Sequence, residues 1–146
     1  MPNEEHFRKL ERMYLSALTN AYYEPAIRIE EGRAQVRIPI APKLFHAAGA
    51  THGAVYCKAI DDACFFAANS LVEDAFVLTT QLNVYLTRAV TGGEIVAHGK
   101  VVFQSKRFLL AEAVVTDSED REVARGSGTF VPGKQRLTPE IGYALE

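Results

Sequence analysis

The chain has 146 residues, 48% of them apolar and 23% charged, with a formal net charge of −2. That length suits one domain with a sizeable core. The near-neutral charge argues against a nucleic-acid partner, and no apolar run reaches the ~18 residues that a membrane helix needs.

The N-terminus, MPNEEHFRKLERM, mixes charges of both signs and lacks the apolar core of a signal peptide. The expectation is a cytoplasmic protein with no membrane association. Residues 4–18 place Phe7, Leu10, Tyr14 and Leu18 three or four apart, which predicts an amphipathic helix on the outside of the core or against a neighbouring subunit. Ala26 to Glu30 and Arg33 to Ile40 read as two strands around a Glu31-Gly32 turn. In the second, Ala34, Val36, Ile38 and Ile40 alternate with Gln35, Arg37 and Pro39, so one face is buried. Pro39 marks a strand end or a sheet edge. Ala41 to Thr51 is a loop of small residues around Gly49.

His52 to Leu71, HGAVYCKAIDDACFFAANSL, reads as one long helix that is apolar nearly all round and therefore buried. Cys57 and Cys64 share a face of it but stand ~10 Å apart along its axis, too far for a disulfide. They read as free thiols with no metal ligand set around them. Four sheet segments follow: Ala75 to Leu86, Glu94 to Gln104, Phe108 to Thr116 and Glu122 to Val131. Their turns are Thr91-Gly92-Gly93, Ser105-Lys106-Arg107 and Asp117 to Asp120. Residues 133–146 are punctuated by Pro and Gly and read as a surface tail. The whole is a single α+β domain over 1–146, with its core at about 25–132: a central helix wrapped by an antiparallel sheet of five to six strands, with an N-terminal helix.

Two carboxylates, Asp61 and Asp62, sit in the middle of that helix. Buried there, they are costly unless paired or useful. Each has Lys58 within three or four residues, and such pairs are worth only a few tenths of a kcal/mol on an exposed face. Asp62 reads as structural and Asp61 as catalytic. At the helix start, the first backbone N–H groups have no intrahelical partner and carry the positive end of the dipole. Gly53 lets a ligand atom approach them, which suits a carbonyl oxygen that gains charge during reaction. Asp61 lies eight residues on, ~12 Å down the axis, out of reach of a carbonyl held at its own Gly53. A two-fold dimer with antiparallel central helices would bring Asp61 of one chain to Gly53 of the other. There a carboxylate can act as general base or as nucleophile.

The stretch Gly49-Ala-Thr-His52-Gly53-Ala54, followed nine residues after the histidine by Asp61 within Ala59-Ile-Asp-Asp-Ala63, resembles the hotdog-fold acyl-CoA thioesterases of the 4-hydroxybenzoyl-CoA thioesterase superfamily, phenylacetate-degradation branch. Leu82-Asn-Val-Tyr-Leu-Thr-Arg88-Ala89 with Gly92-Gly93-Glu94, and the closing Ala124 to Val131, also fit, so the likeness spans about residues 25–132. The resemblance implies a hotdog fold, assembly as homodimer or homotetramer, and hydrolysis of an acyl-CoA thioester without a cofactor. It implies Asp61 as base or nucleophile, and the Gly53 N–H as the group that polarises the carbonyl. His52 would shape the loop and contact substrate. Thr79 or Thr80 would help hold the attacking water, and Lys106 and Arg107 would meet the CoA phosphates. Two positions depart from the pattern: His46 stands where the family often has an asparagine, and Ala54 replaces a second glycine. Histidine keeps one donor but changes charge near neutral pH, which bears on substrate class and competence. The competing expectation is a hotdog protein that binds acyl-CoA without cleaving it. No DNA-binding helix pair accompanies the domain, and no Asp/His or His/Glu pair spaced for a dehydratase is present. A purely structural oligomer does not account for the glycine-opened helix and its buried acid.

Overall fold

The computed structural model describes residues 3–146. Its centre is helix α3 (Gly53–Asn69), around which one six-stranded antiparallel sheet curls. The strands are β1 (Ala26–Glu30), β2 (Arg33–Pro39), β3 (Ala75–Leu86), β4 (Glu94–Gln104), β5 (Leu109–Thr116) and β6 (Glu122–Arg136). They lie in the order β1-β2-β4-β5-β6-β3. The expected hotdog architecture is the observed one.

Small side chains explain how closely helix and sheet meet. Ala59, Ala63, Cys64 and Ala68 are fully buried on α3. Opposite them, a Cβ at Gly99 of β4 would stand 2.5 Å from the Ala63 carbonyl oxygen, so only glycine fits there. Ile60, Val36, Ile38, Val77, Ile95, Val115 and Phe130 fill the space between. At ~25 cal/mol per Å² of apolar surface removed from water, this seam is the main source of stability. Pro39 ends β2, opposite Glu94, at a point β1 does not reach, so the strand-end reading holds although β2 lies inside the sheet.

A second apolar cluster covers the other side of α3. Helix α1 (Glu4–Ser16) lays Phe7, Leu10, Met13 and Tyr14 against Phe66, Ala67, Ile29 and Ala34. Asn3 caps α1 by accepting from the His6 N–H at 3.1 Å. Three sequence expectations change here. Helix α1 stops at Ser16, and Leu18 is 92% exposed rather than part of the apolar stripe. A short helix α2 (Asn20–Tyr23) follows, begun by the buried Asn20 side chain donating to the Tyr14 carbonyl and closed by Glu24 in the left-handed region. The last strand continues past Val131 to Arg136, and residues 137–143 fold back, with Leu137, Ile141 and Tyr143 packed on the α1 cluster.

Candidate active site

Helix α3 starts cleanly because His52 caps it: its Nδ1 accepts from the Ala54 N–H at 2.9 Å. The cap leaves the Gly53 N–H without an acceptor among the described residues. Leu86, at the end of β3, packs over this start, where a Cβ on residue 53 would lie 2.9 Å from its Cδ1. Gly53, His46, Tyr56, Leu86 and Arg88 line a shallow depression here. His46 is exposed and accepts the Ala48 N–H at 3.1 Å through Nδ1, so it organises its own loop. That loop is pinned by the Thr51 hydroxyl donating to the Val90 carbonyl at 2.7 Å.

Two turns further along α3, the adjacent carboxylates part company. Asp62 takes both nearby donors on one oxygen: the Tyr14 hydroxyl at 2.5 Å and the Lys58 ammonium at 2.9 Å. Asp61 takes neither. Its Oδ1 accepts from the Thr79 hydroxyl of β3 at 2.8 Å, and its Oδ2 has no partner among the described residues. The i,i+3 pairing of Asp61 with Lys58 does not form, because Lys58 points the other way, over the Tyr23 ring and onto Asp62. Burial is the largest influence on Asp61 and holds its carboxyl above the usual aspartate range; the Thr79 hydrogen bond and Lys58 pull it back, while the Asp62 charge pushes it up. Asp62 is also raised by burial, against the pull of Lys58 and Tyr14.

Asp61 and Thr79 lie on the wall of a cavity of about 700 Å³ between α1, α3, β3 and the C-terminal turn, with Phe65, Phe66 and Phe76 among its apolar sides. That size is in the range of small-molecule sites. The sequence left Thr79 and Thr80 as alternatives, and the structure separates them. A register shift in the β3–β6 ladder between Thr79 and Gln81 directs Thr79 to Asp61. Thr80 turns to β6 and bonds the Thr129 hydroxyl at 2.8 Å.

Within one chain, the Asp61–Thr79 pair and the Gly53–His46 depression are separate places. Lys106 and Arg107 join neither; they sit exposed on the β4–β5 turn, which the Ser105 hydroxyl holds by accepting the Arg107 and Phe108 N–H groups. Both cysteines are free. The Cys64 thiol is buried and pushed up to about 12. The sequence reading missed Tyr14 as the partner of Asp62. The signal was Tyr14 on the apolar stripe of α1, where a phenol needs a polar partner once buried.

The thioesterase-superfamily family model matches residues 48–124, which hold all of α3 and the paired carboxylates. A Mycobacterium tuberculosis protein that carries an esterase name is 31% identical over 97 residues, 64% of this chain and 69% of that one. Among solved structures, the E. coli PaaI protein from the phenylacetic acid degradation operon superposes with a TM-score of 0.84 at 18% identity, covering 94% of this chain and all of its own. A thioesterase family protein from Silicibacter pomeroyi gives 0.79 at 23% identity, covering 88% of this chain and 99% of its own. At those identities the structures speak for the fold. The family match spans more than half of the sequence, and the chain belongs to the thioesterase superfamily.

Proposed function

We propose that the protein hydrolyses an acyl-CoA thioester to the free acid and CoA, at sites formed between two copies of the chain. One observation carries the reading: Asp61 is a half-buried carboxylate with no ion-pair partner among the described residues, steadied on one oxygen by Thr79, its other oxygen free at the wall of a ligand-sized cavity. In the reaction, Asp61 takes a proton from water as the water oxygen adds to the thioester carbonyl carbon. Alternatively it adds directly and expels the CoA thiolate, giving a mixed anhydride that water then opens. The Gly53 N–H of the partner subunit donates to the carbonyl oxygen as it gains charge. In the first route the C–S bond then breaks, and the CoA thiolate takes back the proton held by Asp61. No cofactor is required.

The pairing is supported by the exposed surface of α3 and β3. Among the described residues strand β3 is a sheet edge, bonded to β6 alone, and Tyr85, Leu78 and Leu86 are large apolar side chains left 68%, 50% and 47% exposed along it. Such an edge calls for a partner. Asp61 is the neighbour of Thr79 near the beginning of β3, and Gly53 is the neighbour of Leu86 at its end. A two-fold axis that exchanges Asp61 with Gly53 passes beside Cys57, halfway between them, and the same axis exchanges the two ends of β3. His52 and His46 then border the carbonyl end of the site, and Lys106 and Arg107 are the cations offered to the CoA phosphates. The assembly is a homodimer, or two such dimers as a homotetramer.

The test is CoA release from short, long and aromatic acyl-CoA esters by the wild type and by Asp61→Asn. Turnover by the wild type with a loss of ~10²-fold or more in the variant is expected. If no ester turns over while CoA esters raise the melting temperature, the protein is an acyl-CoA-binding member of the superfamily, with His46 as the first suspect for lost activity.

A further inference from the structure

The cavity beside Asp61 has walls of two origins. Asp61, Phe65, Phe76 and Thr79 lie within residues 48–124, which the superfamily model matches. Met13, Tyr14, Ile141 and Gly142 lie outside it. The second set comes from α1 and from the 3-10 turn Pro139–Ile141 that follows β6. One part of the cavity thus lies within the matched segment, and the part facing it is built by the chain's two ends.

Those ends are fastened together, not merely adjacent. His6 on α1 is 1% exposed and uses both ring nitrogens. Its Nε2 donates to the Asn69 carbonyl at the end of α3 at 2.9 Å, and its Nδ1 is hydrogen-bonded to the Tyr143 hydroxyl at 2.7 Å. The Lys9 ammonium lies 5.4 Å over the Tyr143 ring. Between the turn and Tyr143, Gly142 takes φ +91° and sits so close to α1 that a Cβ there would stand 2.3 Å from the Ser16 hydroxyl. One buried histidine therefore ties α1, the end of α3 and the C-terminal segment into one fixture.

We propose that residues 139–143, clamped to α1 through His6 and Tyr143, form the end wall of the acyl cavity and set the longest acyl group the site accepts. The proposal rests on the thioesterase reading, because Asp61 marks where the acyl carbonyl must stand. From that point the acyl group extends past Phe65 and Phe76 toward the clamped segment. A group that fits within the cavity leaves the clamp closed. A longer one must lift the segment off α1 and break the His6–Tyr143 bond. Such a wall discriminates by length, since one methylene too many against a hydrophobic pocket wall costs about tenfold or more.

The test uses the full chain and a series of straight acyl-CoA esters from two to sixteen carbons. Two variants loosen the wall: Tyr143→Ala, which removes the clamp, and Gly142→Val, which cannot seat against Ser16. Tyr143→Phe keeps the ring and loses only the hydroxyl, so it serves if the first two fail to fold. Loosening is expected to raise the ratio of kcat/KM for long over short esters by about tenfold or more in Tyr143→Ala and Gly142→Val. A ratio unchanged in the folded variants, or an equal fall at every length, overturns the proposal. Calorimetric binding of the matching non-cleavable CoA thioethers to Asp61→Asn, with and without Tyr143→Ala, separates the two readings. If the wild type cleaves none of the esters, the hydrolase reading falls, and the wall is judged by whether the longest thioether bound increases. If esters are cleaved and that limit stays put, the wall proposal alone falls.

Discussion

Asp61 and Asp62 are neighbours in sequence and both line the cavity between α1, α3 and β3, yet each meets a different set of partners. On the α1 side, Asp62 is closed in by Tyr14 and Lys58, and its charge is spent on fixing α1 to α3. On the β3 side, Asp61 meets a hydroxyl but, among the described residues, no cation, and it keeps one oxygen free. The difference teaches that a buried acid is made structural or chemical by its partners and not by its burial. Both carboxyls are held above the ordinary aspartate range by desolvation, so a raised pKa alone would not tell them apart.

Removing each charge in turn separates the two roles. Asp61→Asn is expected to abolish thioester hydrolysis to ~1% or less while leaving the urea midpoint close to the wild type. Asp62→Asn is expected to do the reverse. It strands the Lys58 ammonium, whose side chain is only 15% exposed, and a cost of about 1–3 kcal/mol in urea unfolding follows. Equal effects of the two substitutions on activity would erase the distinction.

Only the Asp61 face is expected to meet a second copy, and Cys57 reports on it. Cys57 is partly exposed on that face, and the proposed axis passes beside it, whereas Cys64 is buried. A short bis-maleimide is expected to link two chains through Cys57 at micromolar protein, and Cys57→Ser to stay monomeric on denaturing gels. A cross-link that persists in Cys57→Ser would move the axis elsewhere.

The pH dependence sharpens the comparison further. In the proposed reaction the active form of Asp61 is the carboxylate, so activity is expected above its pKa and is lost as pH falls through it. Desolvation raises that pKa, and the acid limb of kcat/KM is expected above an ordinary aspartate's. Thr79→Val removes a hydrogen bond that lowers it, so the limb moves up, with about tenfold lower activity at neutral pH. Asp62→Asn removes a neighbouring negative charge, so the limb moves down. Shifts in the same direction would show that the two sides of α3 are not separate environments.

Most of the site's frame was legible in the sequence because it is local. The length and apolar character of residues 52–71, the nine-residue spacing from His52 to Asp61, and the alternation in the later strands are each set within one element. What escaped depends on distant contacts. No periodicity announces that Lys58 will choose Asp62 over Asp61, because that choice is made by Tyr14, 48 residues away. The pinning of Thr79 rather than Thr80 to Asp61 follows from a register shift against β6. The segment after Arg136 reads as a tail because Pro139 and Gly142 punctuate it, yet Tyr143 is anchored by His6 across 137 residues. Turn-forming composition predicts irregular backbone, which is present, and says nothing about docking.

The contrast between spent and free charge extends to the cations, where the smallest effect is expected. Arg121 on the β5–β6 turn is committed to Asp117 at 2.9 Å, just as Lys58 is to Asp62. Lys106 and Arg107 on the β4–β5 turn form no ion pair among the described residues, and the turn is held by Ser105 without them. If free charge marks a ligand group here as is proposed for Asp61, Lys106→Ala and Arg107→Ala should each raise KM for a CoA ester by about two- to fivefold, with kcat unchanged. Exposed ion pairs are worth no more than about 0.2–1 kcal/mol, and the effect should fade as salt is added. Arg121→Ala should leave KM alone and cost stability instead. The informative substrate is the same acyl group on a truncated pantetheine that lacks the nucleotide phosphates. Against it the Lys106 and Arg107 variants should match the wild type, because the charge they lost no longer has anything to meet.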